Sequence, residues 1–181
     1  MIESTAAVRV AAFDAETDAA CIDLWAAAVA SRDGRPEDPA VRARAAAKFG
    51  AERVVLVVAP GTHDGIRGFA LVTAPGTGGT SGTDISNGGT DDGASGAAEP
   101  ADAAYISLLA VAPSAQGSGL GRALLVAAVD AARDAGHEHC TLHAIEDNAP
   151  AVRLYRSAGF RPVGESFPHA LSRRPTRTFV V

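Results

Sequence analysis

A chain of 181 residues, 47% hydrophobic but only 5% aromatic, can bury one core built mainly from Ala, Val and Leu, so a single domain over 1–181 is expected. The formal net charge of -5 resides in Asp84, Asp91, Asp92, Glu99 and Asp102, all in one Gly/Thr/Ser-rich stretch, and the balanced remainder presents no basic field for nucleic acid. Charges at Arg9, Asp14, Glu16, Asp18 and Asp23 leave no readable secretory signal, no apolar run nears the roughly 18 residues of a bilayer span, and Cys21 and Cys140 form neither a disulfide framework nor a CxxC pair. A cytoplasmic protein with no membrane partner is expected.

In chain order, Val8 to Phe13 predicts a first strand, and Thr17 is placed to cap a helix carrying Ile22, Trp25, Ala26 and Val29 that Gly34 and Pro36 end. Pro39 to Phe49 predicts a second helix stopped by Gly50. Val54 to Ala59 and Ile66 to Ala74 predict two strands joined through Gly65. Pro75 to Asp102 holds eight glycines and almost no large apolar residue, so an insertion at 75–102 is expected to be disordered. Ala103 to Ala112 is apolar on both faces from Ile106 to Val111, the pattern of a central strand covered by helices, and ends at Pro113. Helical spacing of Leu120, Leu124, Ala127 and Ala131 follows, with Gly136 at the position of a left-handed cap. Cys140 to Ile145 predicts another strand. Asn148 caps a helix with Pro150 in its first turn and Gly159 at its end, and Phe160 to Val163 and Thr178 to Val181 close the sheet.

The chemistry concentrates in Gln116-Gly117-Ser118-Gly119-Leu120-Gly121, between an apolar strand and an amphipathic helix, where backbone N–H groups at a helix start hold phosphate oxygens. Arg122 adds a charged donor in the first helical turn. A glycine-rich turn alone fits a tight structural connection, a dinucleotide loop or a nucleotide P-loop. The glycines read G-x-G-x-G, however, the strand does not open a βαβ series, and no Gly-Lys-Ser/Thr occurs, which disfavours NAD and ATP.

In Leu109-Ala110-Val111-x-Pro113-x-x-Gln116-Gly117-x-Gly119-x-Gly121, and again in Asn148-x-x-Ala151-x-x-Leu154-Tyr155-x-x-x-Gly159-Phe160, the sequence resembles the GNAT superfamily of acyl-CoA N-acyltransferases, most strongly from Tyr105 to Gly164. The resemblance implies a mixed α/β fold with a mostly antiparallel central sheet of about seven strands, splayed at its centre and flanked by four helices. It implies acetyl-CoA as cosubstrate, its pyrophosphate on the amides of Gly117 to Arg122, its pantetheine laid like an extra strand along Leu109, Ala110 and Val111, and Asn148 hydrogen-bonding its arm. Tyr155 becomes the general acid for the leaving thiolate, and the N–H of Val111 or Leu109 the donor to the thioester carbonyl.

The expected activity is transfer of an acetyl group to a primary amine of a small molecule or peptide, by direct attack in a ternary complex. The catalytic base is less plain, because many similar proteins carry a glutamate on the central strand or the next one, whereas Ala103 to Val111 has no carboxylate. His143, whose imidazole titrates in the useful range, is the candidate base; a partly buried strand histidine is the alternative. That missing carboxylate also motivates a rival, a catalytically inactive CoA-binding regulatory module. His137, His139 and His143 share one strand parity around Cys140, but solvated residues at a strand entrance explain them better than a metal site, and no metal is expected. Trp25 and the Arg32-Asp33-Gly34 turn fall where similar enzymes border the acceptor channel; packing and turn formation account for them equally well. An acidic insertion folded over the cleft favours cationic acceptors. Monomer and homodimer both remain open.

Overall fold

A computed structural model of the chain describes residues 8–61, 65–77, 100–169 and 172–181. Residues 78–99 of the expected insertion lie outside the described residues. Those described run β1 (Arg9–Val10), α1 (Ala15–Asp33), α2 (Pro39–Phe49), β2 (Arg53–Pro60), β3 (Ile66–Thr73), β4 (Ala104–Val111), α3 (Leu120–Asp134), β5 (Cys140–Ile145), α4 (Ala149–Ser157), β6 (Arg161–Pro168) and β7 (Pro175–Val180). The strands form one open sheet in the order β1-β2-β3-β4-β5-β7-β6, antiparallel at every junction except β4 with β5.

Local chemistry explains the helix ends. Asp14, rather than Thr17, caps α1: its carboxylate accepts the Thr17 N–H and the Thr17 hydroxyl, each at 2.8 Å. The Thr17 signal was one turn late because Asp14 offers the stronger acceptor. Gly34 closes α1 in the left-handed region, at φ +61°. Asp38 caps α2 ahead of Pro39. After α3, Gly136 takes φ +97° while the His137 N–H bonds back to Ala132 O, and after α4, Gly159 takes φ +93° while the Phe160 N–H bonds to Tyr155 O. Both are six-to-one closures that need a residue free to adopt positive φ.

The central strands read as continuous apolar runs because both of their faces are covered. Val55, Val57 and Ala59 of β2 join Ala70 and Val72 in a core under Leu124, Leu125 and Ala128 of α3. The alternate residues Leu56 and Val58 join Phe69 and Leu71 under Cys21 of α1 and Ala45 and Phe49 of α2. Gly68 sits where α3 crosses β3: a Cβ there would meet Leu124 Cδ1 at 2.7 Å and the Ala110 carbonyl oxygen at 2.9 Å. Leu124 can turn aside but the β4 backbone cannot. Gly68→Ala is therefore expected to destabilise the fold by about 1–3 kcal/mol, read as a lower urea midpoint at unchanged m-value.

What positions the site is a parting of strands. β4 pairs with β3 from Tyr105 to Val111, yet with β5 only at Ala104↔Cys140 and Tyr105↔Thr141. Beyond Tyr105 the two strands diverge, and a wedge opens in the middle of the sheet. The strands on its far side are longer than the sequence pattern suggests. β6 and β7 form a hairpin whose register slips between Val163 and Phe167 around Gly164, at φ +63°. β1 is shorter than Val8 to Phe13, only Arg9 and Val10 pairing with β2.

Candidate active site

Along the wedge, β4 turns backbone groups toward a cavity of about 720 Å³. The Ala112 N–H donates to Arg67 O of the β3 side at 2.8 Å, and the Ala110 carbonyl faces Gly68. Antiparallel ladders alternate by two, so the N–H and C=O groups of Leu109 and Val111 face the opposite way, into the wedge. Both amides named from sequence as alternative donors thus lie on the open edge of β4, whereas the Ala110 carbonyl is turned to β3. The Gln116 amide donates to Val111 O at 3.3 Å. Between Leu71 and Val72 the ladder slips by one residue, leaving Ser107 as the extra residue of a β4 bulge, with its hydroxyl bonded to that of Thr73.

The glycine-rich turn follows β4 through a 3-10 turn at Pro113–Ala115. Gly117 and Gly119 take φ +78° and +83°, and at neither would a Cβ find a neighbour within 4 Å. Gly119 starts α3 with no side-chain cap. Of the amides expected to hold pyrophosphate, that of Arg122 already donates to Gly119 O at 3.1 Å; those of Gly117 to Gly121 have no carbonyl partner among the described residues. The Ser118 hydroxyl is turned to Ala115 O at 2.7 Å, and the Leu120 side chain is buried in the core, so both are placed to act through their backbones. One arm of the Arg122 guanidinium donates to Ser157 O at 2.8 Å, tying the turn to the end of α4.

α4 supplies the opposite wall. Asn148 is its N-cap, its side-chain oxygen 3.5 Å from the Ala151 N–H, and both Asn148 and Tyr155 line the cavity. Tyr155 rests on Phe160 and Phe179, ring centroids 6.3 and 6.1 Å away. Burial pushes its phenol up to about 12, opposed by the charge of Arg32 at the end of α1. Arg32 grips Asp33 through two hydrogen bonds of 2.7 and 2.9 Å. The turn that sequence left between packing and function thus stands in the wall, as does Trp25.

His143 stands elsewhere in the wedge. Its ring is edge-on to Tyr105 at 5.1 Å and to Phe167 at 4.9 Å. Over the same Tyr105 ring lies the Lys48 ammonium of α2, 5.0 Å from the centroid, donating to Thr77 O at 2.9 Å. Burial first and the charge of Arg44 second hold Lys48 below its ordinary range. His169 is held down by burial, then by Arg44, Arg32 and Arg174, and its Nδ1 accepts the Ser172 N–H at 3.2 Å. Lys48, Arg44, Tyr105 and His169 were not singled out from sequence. Only the i, i+4 spacing of Arg44 and Lys48 hinted that both share one helix face.

Neither cysteine is poised as a nucleophile: burial pushes the Cys21 thiol up to about 12 and Cys140 up to about 11. His137 Nδ1 lies 3.2 Å from Asp102 O and His139 Nδ1 3.3 Å from Val181 O. Among the described residues no group of three or more His, Cys, Asp or Glu side chains is placed to hold a metal, and no helix is long and apolar enough to cross a membrane.

An open seven-stranded sheet parted between its fourth and fifth strands, above a glycine-rich helix start, is a GNAT-like fold. Residues 87–160 match the model of the acetyltransferase (GNAT) family. The ribosomal-protein-S18-alanine N-acetyltransferase of Escherichia coli superposes with TM-score 0.64 at 19% identity, over 97% of this chain and 93% of that one. The yncA protein of Salmonella typhimurium, solved with its cofactor acetyl-CoA, superposes with TM-score 0.58 at 21% identity, over 98% and 92%. At these identities the likeness is one of fold. A mycothiol acetyltransferase of Acidothermus cellulolyticus is 47% identical over 66 residues, 36% of this chain and 20% of that protein. The chain spans about a fifth of the length of the curated relatives it matches.

Proposed function

We propose that the chain is a single-domain, acetyl-CoA-dependent N-acetyltransferase, working in the cytoplasm on a primary amine of a small molecule or peptide by direct attack in a ternary complex. One observation carries this reading: the open edge of β4, the uncapped start of α3, Asn148 and Tyr155 all border one cavity. The GNAT match and the mycothiol acetyltransferase segments support acetyl transfer as the reaction.

In this reading the amides of Gly117 to Gly121 hold the pyrophosphate, Asn148 holds the pantetheine arm, and the backbone of Leu109 and Val111 pairs with it as a strand would. The Val111 or Leu109 N–H donates to the thioester carbonyl as charge develops there. The amine nitrogen forms a bond to the carbonyl carbon, the carbon–sulfur bond breaks, and Tyr155 donates toward the departing sulfur. The amine proton passes to His143 or to water. With both thiols buried and protonated, neither Cys21 nor Cys140 is suited to carry a covalent acyl group. Monomer and homodimer are equally compatible with the site.

A second reading, a CoA-binding module without catalysis, draws on one specific feature: Asp33 is the only carboxylate among the described cavity-lining residues, and Arg32 already engages it. Calorimetric titration with acetyl-CoA, with NAD and ATP as controls, tests the site, and release of free CoA thiol across a panel of primary amines tests the chemistry. Selective binding with turnover of any amine is expected. Binding without turnover would select the inactive module, and no binding would overturn both.

A further inference from the structure

The charge of the cavity wall is lopsided. Among the described residues that line it stand four cations, Arg32, Arg44, Lys48 and Arg122, against the single carboxylate of Asp33. Arg32 and Asp33 neutralise one another, and Arg122 belongs to the phosphate turn. That leaves Arg44 and Lys48, both half-buried and one helical turn apart on α2. Arg44 has no ion pair or hydrogen bond among the described residues, and Lys48 spends one donor, on Thr77 O. Two like charges on a partly desolvated face cost stability unless an anion joins them.

These two cations do not serve the pyrophosphate site. Lys48 lies over Tyr105, at the closed end of the wedge. The phosphate turn begins beyond Val111, six strand residues or roughly 20 Å further along β4. The Lys48 end is instead where His143 and Phe167 enclose the other part of the cavity, the room left for an acceptor.

We propose that the acceptor is a small amine that also carries an anionic group, a carboxylate or phosphate, held by Arg44 and Lys48 at the Tyr105 end of the wedge. The proposal rests on the acetyltransferase reading and names its substrate class. The positive field reaches its neighbours: Lys48, held down first by burial, is lowered further by Arg44, and His169, also held down first by burial, by Arg44, Arg32 and Arg174. A bound anion offsets the mutual repulsion of Arg44 and Lys48, and the Arg44 fork matches a carboxylate or phosphate edge. The described walls thus carry the sign opposite to that of the acidic insertion.

The test uses paired acceptors that differ by the anion: phenylalanine against phenethylamine for carboxylate, and O-phosphoethanolamine against ethanolamine for phosphate. In at least one pair the anionic member is expected to show a kcat/KM about tenfold to a hundredfold higher, the worth of one or two charge-assisted hydrogen bonds. Arg44→Gln and Lys48→Met are each expected to erase that preference while leaving acetyl-CoA affinity unchanged. Equal turnover within both pairs, or a preference that survives both substitutions, would overturn the assignment and leave the acetyltransferase reading standing. Weakened acetyl-CoA binding in Arg44→Gln would also overturn it, returning Arg44 to the cofactor. Trp25, the only tryptophan of the chain, lines the same cavity and supplies a readout without turnover. Its emission in the CoA-saturated protein should change saturably with N-acetylphenylalanine or N-acetyl-O-phosphoethanolamine and not with N-acetylethanolamine. A flat response to both anions would overturn the proposal even if no amine in the panel is acetylated, and failure of acetyl-CoA itself to bind would remove it together with the reading beneath it.

Discussion

Gly119→Glu is expected to lower acetyl-CoA affinity by at least about a hundredfold, the loss of roughly two charge-assisted hydrogen bonds, without unfolding the protein. Gly119 is the residue from which α3 departs, with no side chain to cap the amides that follow. A glutamate there places its carboxylate at the positive end of the helix dipole, where it competes for the same N–H groups and repels a diphosphate. Crowding is not the mechanism, since a Cβ at Gly119 would have no neighbour within 4 Å. Backbone strain is present but modest: holding a non-glycine residue at φ +83° costs about 1–2 kcal/mol. Gly119→Asn separates the two effects, because asparagine tolerates this region and adds no charge. Calorimetry should find the asparagine variant close to wild type and the glutamate variant silent. Equal binding by wild type and the glutamate variant would show that the α3 start holds no phosphate.

Much of the fold was legible because its central strands and α3 bury residues at regular spacing. Val54 to Ala59, Ile66 to Ala74 and Ile106 to Val111 are covered on both sides, so they appear as unbroken apolar runs, and the observed β2, β3 and β4 follow them within two residues. Errors came where packing is one-sided. β6 is mostly exposed and contains Pro162, Gly164 and Glu165, so its eight residues carry no alternating pattern, and hairpin pairing with β7 extends it past Val163. The parting of β4 from β5 has no local signal: it depends on how strands distant in the chain are registered, and only the resemblance implied it.

The site divides along the same line. The half proposed for the cofactor is made of contiguous turn chemistry, Gln116 to Gly121, and of a helix cap at Asn148, both visible from spacing and positive-φ demands. The half proposed for the acceptor is assembled from Lys48 on α2, Tyr105 on β4, His143 on β5 and Phe167 on β6, which meet only once the sheet is built. A lysine in an Arg-decorated helix reads as solvated surface; its half-burial over an aromatic ring is a tertiary fact. The zero charge balance outside the insertion likewise concealed a cationic wall, because the described acidic side chains, Asp33 apart, do not line the cavity.

Tyr155→Phe is expected to lower kcat by about a hundredfold or more, with the KM values and acetyl-CoA affinity near those of wild type. The substitution removes a hydroxyl and keeps the ring that rests on Phe160 and Phe179, so the fold and the cavity wall persist. The direction of the phenol's shift constrains what that hydroxyl does. Burial is the larger cause and Arg32 the smaller, opposing one, and together they set the group at about 12. At neutral pH it is therefore protonated in effectively every molecule and ready to donate. An acid that weak transfers its proton to a thiolate only uphill, thiols ordinarily titrating near 8.5, so its main contribution is a hydrogen bond that strengthens as negative charge gathers on sulfur. Arg32 then assists at a distance, by making the phenol a better donor. Two further results separate this role from a structural one. The pH profile of kcat should show no alkaline limb belonging to Tyr155 below about pH 10, and Arg32→Gln should reduce kcat without moving acetyl-CoA affinity. A limb near pH 8 or 9 that disappears in the phenylalanine variant would mean a phenol far more acidic than its burial permits, and wild-type turnover by that variant would assign sulfur protonation to solvent.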